Sequence, residues 1–195
     1  MTARNASARE APSATTETRD RIRDVAIDAF AERGYDGVGL REIARRASVD
    51  PRLVGHYFGS KEGLFAAALE LTMDLPLADL RESPATFLAT PPPGRGMDGM
   101  LMTIRSTSSP EAVQIMRELI EQRFERVLAE GLSGDQRHER AALIMSVNIG
   151  FLLMRDVLGI NALNGDVKDL TPYLQTVLGS LVEGMPTADQ PEATA

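Results

Sequence analysis

Apolar positions recur along the chain with the spacing of amphipathic helices. In the first such segment, from about residue 16 to residue 33, apolar side chains fall at i, i+3, i+4, i+7 and i+8, on one helical face. They are Ile22, Val25, Ala26, Ala29 and Phe30. Thr15 or Thr16 can cap its start, and Gly34 is suited to its end. No segment alternates with the period of two that is typical of strands, so the pattern predicts an all-α fold.

Three shorter helices are predicted next. One covers about 40–47, and the next covers 51–58, where Asp50 is suited to the N-cap position and Pro51 to the first helical turn. Ser60 can cap a fourth helix that continues towards Leu75 and is ended or kinked by Pro76. The segment 76–97 is rich in proline and glycine, and it predicts a long loop or a mobile segment.

The second half of the chain predicts four longer helices, at about 97–106, 110–130, 135–158 and 167–183, which gives eight to nine helices in all. After Arg140 the third of these is apolar on nearly every side. The last has a heptad seam of apolar residues, widened by three more. The seam is Val167, Leu170, Leu174, Val177 and Leu181, and the additional residues are Tyr173, Leu178 and Val182. This much apolar surface predicts a homodimer made by the last two helices as a four-helix bundle.

The short helices 40–47 and 51–58, joined by residues 47–50, have the layout of a helix-turn-helix. On the second helix, Val54 and Phe58 face the core. The opposite side carries Pro51, Arg52, Gly55 and His56, where a DNA major groove would lie. At the flanks, Arg41, Tyr57 and Lys61 are placed to hold phosphates.

Residues 16–76 resemble the N-terminal domain of the TetR family of transcriptional regulators. The resemblance is carried by Leu40-Arg41-Glu42-Ile43-Ala44 and by the run His56-Tyr57-Phe58-Gly59-Ser60-Lys61-Glu62-Gly63-Leu64. The family comparison implies a helix-turn-helix at 39–58, a recognition helix at 50–58, and an all-helical body that binds a small ligand and dimerises through its last two helices. Residues 140–174 are more weakly similar to a C-terminal domain of this family.

The predicted function is therefore a ligand-responsive repressor that binds a pseudo-palindromic operator in double-stranded DNA as a homodimer. The predicted organisation is a disordered tail at 1–15, a DNA-binding domain at 16–76, a ligand-binding and dimerisation domain at 77–185 and a second tail at 186–195. The residues predicted to bind DNA are Gly39, Leu40, Arg41, Asp50, Pro51, Arg52, Leu53, Gly55, His56, Tyr57 and Lys61.

Two glycines depart from the family pattern. Many members have Thr or Ser where Gly39 stands, and Tyr or His where Gly55 stands. Base contact then falls to Arg52 and His56. The alternative hypothesis is a helical ligand-binding or scaffold protein with degenerate DNA binding.

The residues predicted to line the small-molecule site are Met100, Ile104, Met116, Ile120 and Phe151. Methionine-rich surfaces suit apolar ligands, but most such residues are more simply explained as core.

Composition limits the remaining function classes. The 195 residues carry a net charge of −7, while residues 1–63 alone have 11 basic and 10 acidic side chains. With no cysteine and two histidines, a thiol nucleophile and a cysteine-rich or multi-histidine metal site are excluded, and no cofactor or enzyme activity is predicted. The longest uncharged apolar stretch, 141–154, is shorter than the roughly 20 residues that span a bilayer. With no secretory signal pattern at the start, a soluble cytoplasmic protein is expected.

Overall fold

The computed structural model describes residues 14–72, 94–165 and 167–184. In these ranges it contains eight helices and no strand. The first four are α1 (Ala14–Arg33), α2 (Leu40–Arg46), α3 (Pro51–Phe58) and α4 (Lys61–Thr72), and α5 is Gly96–Ser106. Helix α6 runs from Pro110–Leu119 through a π-helical turn at Ile120–Glu125 to Arg126–Glu130. Helix α7 is Arg137–Leu152 followed by a π-helical turn at Leu153–Val157, and α8 is Val167–Glu183 after a short 3-10 turn at Asn161–Leu163.

The start and stop signals act as the sequence predicts. The side chain of Asp50 accepts a hydrogen bond from the backbone N–H of Arg52 at 2.8 Å, which caps α3. The hydroxyl of Ser60 accepts from the N–H of Gly63 at 3.2 Å at the start of α4. Gly34 follows α1 with φ of +68°. The all-α fold is confirmed, and apart from the end of α4 the described helix ends agree with the predicted ones to within two residues.

A first hydrophobic core joins α1–α4 with α5 and the beginning of α6. It is centred on aromatic rings: Phe65 makes edge-on contacts with Phe30 and Tyr35, each with ring centroids 5.0 Å apart. The largest fully buried side chains of the first four helices are Ile22, Ile27, Phe30, Ile43, Leu64, Phe65 and Leu69. Burial on this scale fixes the angle at which α2 and α3 leave the bundle.

A second, separate core joins the end of α6 with α7 and α8. Its buried members are Leu128, Ala129, Leu132, Ala141, Ile144 and Leu178. Arg140 is also buried, and its guanidinium donates to the backbone carbonyls of Asp135, at 3.0 Å, and Leu181, at 3.2 Å. This side chain ties the C-terminal end of α8 to the loop before α7, because the last carbonyls of a helix have no partner inside it.

The predicted heptad seam of α8 requires a correction. Leu178 is fully buried, and Leu174, Leu181 and Val182 pack beside it on the second core of the same chain. The outward side carries Tyr173, which is 73% exposed, and Val177, which is 52% exposed. The apolar residues of α8 thus form two adjacent stripes. One stripe packs on the second core of the same chain, and the other faces outward. Sequence spacing identifies the apolar positions but does not tell which stripe is covered.

The apolar composition of α7 predicts a helix buried on several sides, inside a core or between subunits, and within one chain it is buried along one stripe. Its inner stripe includes Ala141 and Ile144, while Leu143, Ile149 and Met154 are exposed, as is Leu158 directly after the helix. The two π-helical turns were also not predicted, because periodicity gives the type of an element and not a local change of pitch.

The long loop at 76–97, the helix end at Pro76 and the domain boundary after residue 76 fall largely or wholly outside the described residues, as does most of both tails. No described helix has the length and apolar character needed to cross a membrane.

Candidate DNA-binding surface

The turn between α2 and α3 is held by backbone hydrogen bonds and by α1. Ser48 adopts a left-handed conformation with φ of 54°, and the next N–H, of Val49, donates to the carbonyl of Ala44 at 3.0 Å. Arg21 of α1 donates through Nε to the carbonyl of Ala47 at 3.1 Å. These contacts fix α3 relative to α2 without any help from a glycine.

Helix α3 has one face on the core and one face in solvent. Val54 is fully buried, and Leu53, Tyr57 and Phe58 are half-buried against the first core. Arg52 and His56 are exposed on the opposite face, and Pro51 is exposed in the first turn. The structure thus places three predicted groove residues together at the solvent-facing side of α3, as a recognition helix requires. The fourth, Gly55, is half-buried.

The cations on this surface are available to a ligand. Arg41, Arg45 and Arg52 are exposed, and none has an ion-pair partner within the described ranges. The nearest carboxylate on α2, Glu42, is already held by Arg33 and Arg46. A hydrogen bond from Arg33 and the charges of both arginines lower the pKa of Glu42.

Lys61 and Tyr57 lie at the edge of this surface and are half-buried. The ammonium of Lys61 stands 4.1 Å from the ring centroid of Tyr35, a cation–π contact. The hydroxyl of Tyr35 in turn donates to Glu62 at 3.0 Å, and burial together with that carboxylate raises the pKa of Tyr35. The ring therefore holds a cation in the first turn of α4, where the helix dipole disfavours it.

The two glycines that depart from the family pattern have open surroundings. Gly39 precedes α2 with φ of −112° and no side chain to cap the helix. A Cβ added to Gly39 or to Gly55 would meet nothing within 4 Å. Leu40, beside Gly39, is half-buried against the first core.

Two sequence profiles match the chain. Residues 22–68 match bacterial regulatory proteins of the tetR family, and residues 85–180 match the tetracyclin repressor-like C-terminal domain. The chain belongs to the TetR family. The first profile covers α2, α3 and most of α1 and α4, and the second runs through α5, α6 and α7 into α8.

Among curated TetR-type relatives, the HTH-type transcriptional regulatory protein RaaS of Mycobacterium tuberculosis is 42% identical over 81 residues, which is 42% of this chain and 36% of RaaS. The HTH-type transcriptional repressor NicS of Pseudomonas putida is 31% identical over 131 residues, 53% of this chain and 62% of NicS. The match thus spans less than two thirds of either relative. Both are named as regulators of transcription and not as enzymes.

Solved structures extend the likeness over most of the chain. A TetR-family regulator from Streptomyces coelicolor A3 superposes with a TM-score of 0.52 at 26% identity, covering 89% of this chain and 98% of that one. NalD, the secondary repressor of the MexAB-OprM multidrug efflux pump in Pseudomonas aeruginosa, superposes with a TM-score of 0.61 at 18% identity, covering 87% and 98%. The second likeness concerns the fold alone.

The residues predicted to line a small-molecule site are divided between the two cores. Met116 is buried in the first core, whereas Phe151 packs against the second. Ile120 lies in the π-helical turn of α6, and Met100 and Ile104 are half-buried on α5. The described residues do not bring the five together as one wall.

Two residues of functional interest were missed from the sequence. Arg45 is exposed four positions after Arg41, on the same side of α2. That spacing in the sequence could have identified Arg45 as a second cation on this surface. Asn148 is 5% exposed in α7, and among the described residues its amide nitrogen has no hydrogen-bond partner. In the sequence, Asn148 could have been noticed as a polar residue that interrupts the apolar run 141–154. No group of three or more potential metal ligands lies together in the part of the chain that the structure describes.

Proposed function

We propose that this TetR-family protein is a dimeric, ligand-responsive repressor whose α2–turn–α3 unit binds operator DNA. The observation that carries the proposal is the separation of faces on α3. Val54 is fully buried while Arg52 and His56 are exposed on the opposite side. An exposed arginine in the first turn of a recognition helix can donate two hydrogen bonds to guanine in the major groove.

Backbone contacts are assigned to the residues around α3. Arg41 and Arg45 on α2 form no ion pair with another described residue, and the carboxylate of Glu42 is held by Arg33 and Arg46. Lys61 and Tyr57 flank the other end of α3. Contacts of this kind go to phosphates, so they supply affinity for any duplex and position the protein on the DNA. Gly39 and Gly55 contribute clearance and no side-chain contact.

The dimer is assigned to the outward faces of α7 and α8. Leu143 and Met154 of α7 and Val177 of α8 are between 45% and 52% exposed, although they are large and apolar. Gly150, near the middle of this stretch of α7, has open space at its Cβ position, which would let a second helix approach closely. Apolar faces on two adjacent helices suit a four-helix interface between two copies of the chain.

The effector is assigned to the interior of the body, with Asn148 as a polar contact. A buried amide donor without a partner costs about 1–3 kcal/mol. A ligand carbonyl, carboxylate or hydroxyl that accepts from this nitrogen would recover that energy. Of the apolar residues predicted for this site, Phe151 packs against the same second core and would supply further contact.

Selection from random double-stranded DNA tests this function. We expect the purified full chain to enrich an inverted repeat whose half-site centres lie about 10 base pairs apart or a little more, because two recognition helices must enter successive major grooves. Enrichment of a direct repeat or a lone half-site would contradict the two-fold arrangement. A failure to enrich any sequence, with binding no stronger than to bulk DNA, would favour the ligand-binding or scaffold function instead.

A further inference from the structure

Helix α6 belongs to two hydrophobic cores. Before its π-helical turn, Ala112 and Met116 are buried in the first core, together with the side chains of α1–α4. After the turn, Leu128 and Ala129 are buried in the second core with α7 and α8. The turn at Ile120–Glu125 is thus the place where one continuous helix passes from the DNA-binding half of the molecule to the body.

Helix α5 is also fixed to the DNA-binding half. At its start, Arg95 forms ion pairs with Asp24 and Asp28 of α1. At its end, the guanidinium of Arg105 donates to the carbonyl of Ala31. These contacts join both ends of α5 to one stretch of α1, and Met102 between them is fully buried in the first core.

A buried hydrogen bond also joins the end of α5 to the segment that follows α1. The backbone N–H of Tyr35 donates to the hydroxyl of Ser106 at 2.9 Å. The chain approaches so closely here that a Cβ on Gly34 would stand 2.2 Å from the carbonyl oxygen of Arg105. Close packing at Tyr35–Ser106 and at Gly34–Arg105 prevents the two segments from shifting past each other. Helix α5 therefore moves with α1 as one rigid piece.

Within the described ranges, the chain passes from the first core to the second at one place. Helices α1–α5 and residues 110–119 pack on the first core, and everything described after residue 125 packs on or follows the second. Thr72 at the end of α4 is buried, and it lies directly beside Gly99 of α5. The chain therefore enters the body through 120–125 and, within the described ranges, does not return.

Side-chain contacts tie the turn itself to both sides. Arg123 pairs with Glu70 near the end of α4, on the DNA-binding half. Glu125 pairs with His138 of α7, on the body, with 2.6 Å between Oε1 and Nδ1. A π-helical turn holds one residue more than the α-helix around it, and such turns are frequent at functional sites.

We propose that the π-helical turn Ile120–Glu125 is the joint about which the DNA-binding half turns relative to the body, and that α5 and residues 110–119 turn with the DNA-binding half. The regulatory meaning of this joint rests on the proposed function, since an effector in the body would change the spacing of the two heads through it. The mechanical boundary is then about 45 residues further along the chain than the boundary predicted after residue 76.

Distances between pairs of spin labels test the joint directly. The chain has no cysteine, so introduced cysteines are the only labelling sites. Three exposed positions suit the purpose, namely Asp36 beside α1, Glu111 in the first part of α6 and Glu139 in α7. Doubly labelled protomers are diluted into unlabelled protein, so that only distances within one chain are measured, whether or not it dimerises.

We expect a narrow distance distribution for the pair 36/111 and distributions at least two-fold broader for 36/139 and 111/139. Deletion of the exposed Gln122, which removes the extra residue of the turn, should narrow the two broad distributions at least two-fold. The substitution Gln122→Ala keeps the length and should leave them unchanged.

A 36/111 distribution as broad as the 36/139 distribution would overturn the proposal, and so would three equally narrow distributions in the parent protein. An unchanged width after the deletion would place the joint elsewhere. If the deletion variant does not fold, the three distributions of the parent protein still decide. Loss of DNA binding is measured separately on unlabelled protein. If the protein shows the expected distances but binds no DNA, the proposed joint is supported and the proposed repressor function is contradicted.

Discussion

Gly63 packs directly beneath the carbonyl oxygen of Phe58, where a Cβ would stand only 2.3 Å from that oxygen. The contact joins the first turn of α4 to the last turn of α3. It therefore sets how far the recognition helix stands from the bundle. We expect Gly63→Ala to lower the free energy of unfolding by about 1–3 kcal/mol, because the two helices must move apart.

Gly55→Ala is the matched control for that substitution. Gly55 lies in the interior of α3, and an added Cβ meets nothing within 4 Å. Alanine should therefore stabilise the helix by about 0.5–1 kcal/mol. Urea unfolding of both variants measures the difference. Equal changes in the free energy of unfolding for the two variants would show that the close contact at Gly63 does not affect stability.

Asn148 should reduce the stability of the protein in the absence of ligand. Replacement by leucine removes a buried donor that has no partner in the described part of the chain, and we expect the free energy of unfolding to rise by about 1–2 kcal/mol. Asn161→Leu, at an exposed position, controls for the added apolar surface and should have little effect. A loss of stability in Asn148→Leu would mean that the amide is satisfied in solution and is no ligand contact.

The outward face of α8 is tested by two neighbouring residues. Val177 is 52% exposed and Leu178 is fully buried. Val177→Asp should convert the dimer to a folded monomer, because it places a charge in the proposed interface. Leu178→Ala should instead lower the free energy of unfolding by about 2–4 kcal/mol and leave the folded protein dimeric. Light scattering at micromolar concentration, with urea unfolding, separates these results. A parent protein that is already monomeric would contradict the proposed assembly.

Glu42 gives the DNA-binding half a specific pH dependence. Its pKa is lowered in the folded protein by Arg33 and Arg46 from the ordinary value of 4.5. A carboxyl with a lowered pKa stabilises the folded state above its unfolded pKa, and that contribution is lost as the pH falls through the folded value. Glu42→Gln should therefore reduce the urea midpoint at pH 7, and the difference should shrink below pH 4.5. A difference that persists unchanged at low pH would show that the ion pairs do not stabilise the fold.

The local parts of the fold could be predicted from sequence, because their signals lie within a few residues. Asp50 and Pro51 are adjacent, and together they specify the start of α3. The contact of Arg95 with Asp28 could not be predicted in this way, since 67 residues separate the partners. Only the packing of α5 along α1 brings them together.

The functional surface was predictable to a similar extent. The exposed face of α3 follows from helical periodicity and from the family motif. The availability of Arg41 and Arg45 does not, because it depends on Glu42 being paired with Arg33 and Arg46. The division of α8 between an inner and an outer stripe was also out of reach, since spacing does not tell which helix covers an apolar side chain.

The most direct test of the repressor function compares Arg52→Ala with Lys61→Ala on the selected operator and on a random duplex, at two salt concentrations. Arg52→Ala should weaken operator binding by about 1–3 kcal/mol per half-site and relax the preference at one base pair, with little change on random DNA. Lys61→Ala should weaken both alike and flatten the salt slope by about one unit for each phosphate that the variant no longer binds. Arg117→Ala, at an exposed position on α6, should change neither. If Arg52→Ala and Lys61→Ala both bind as tightly as the parent protein, the exposed face of α3 is not the DNA-binding surface.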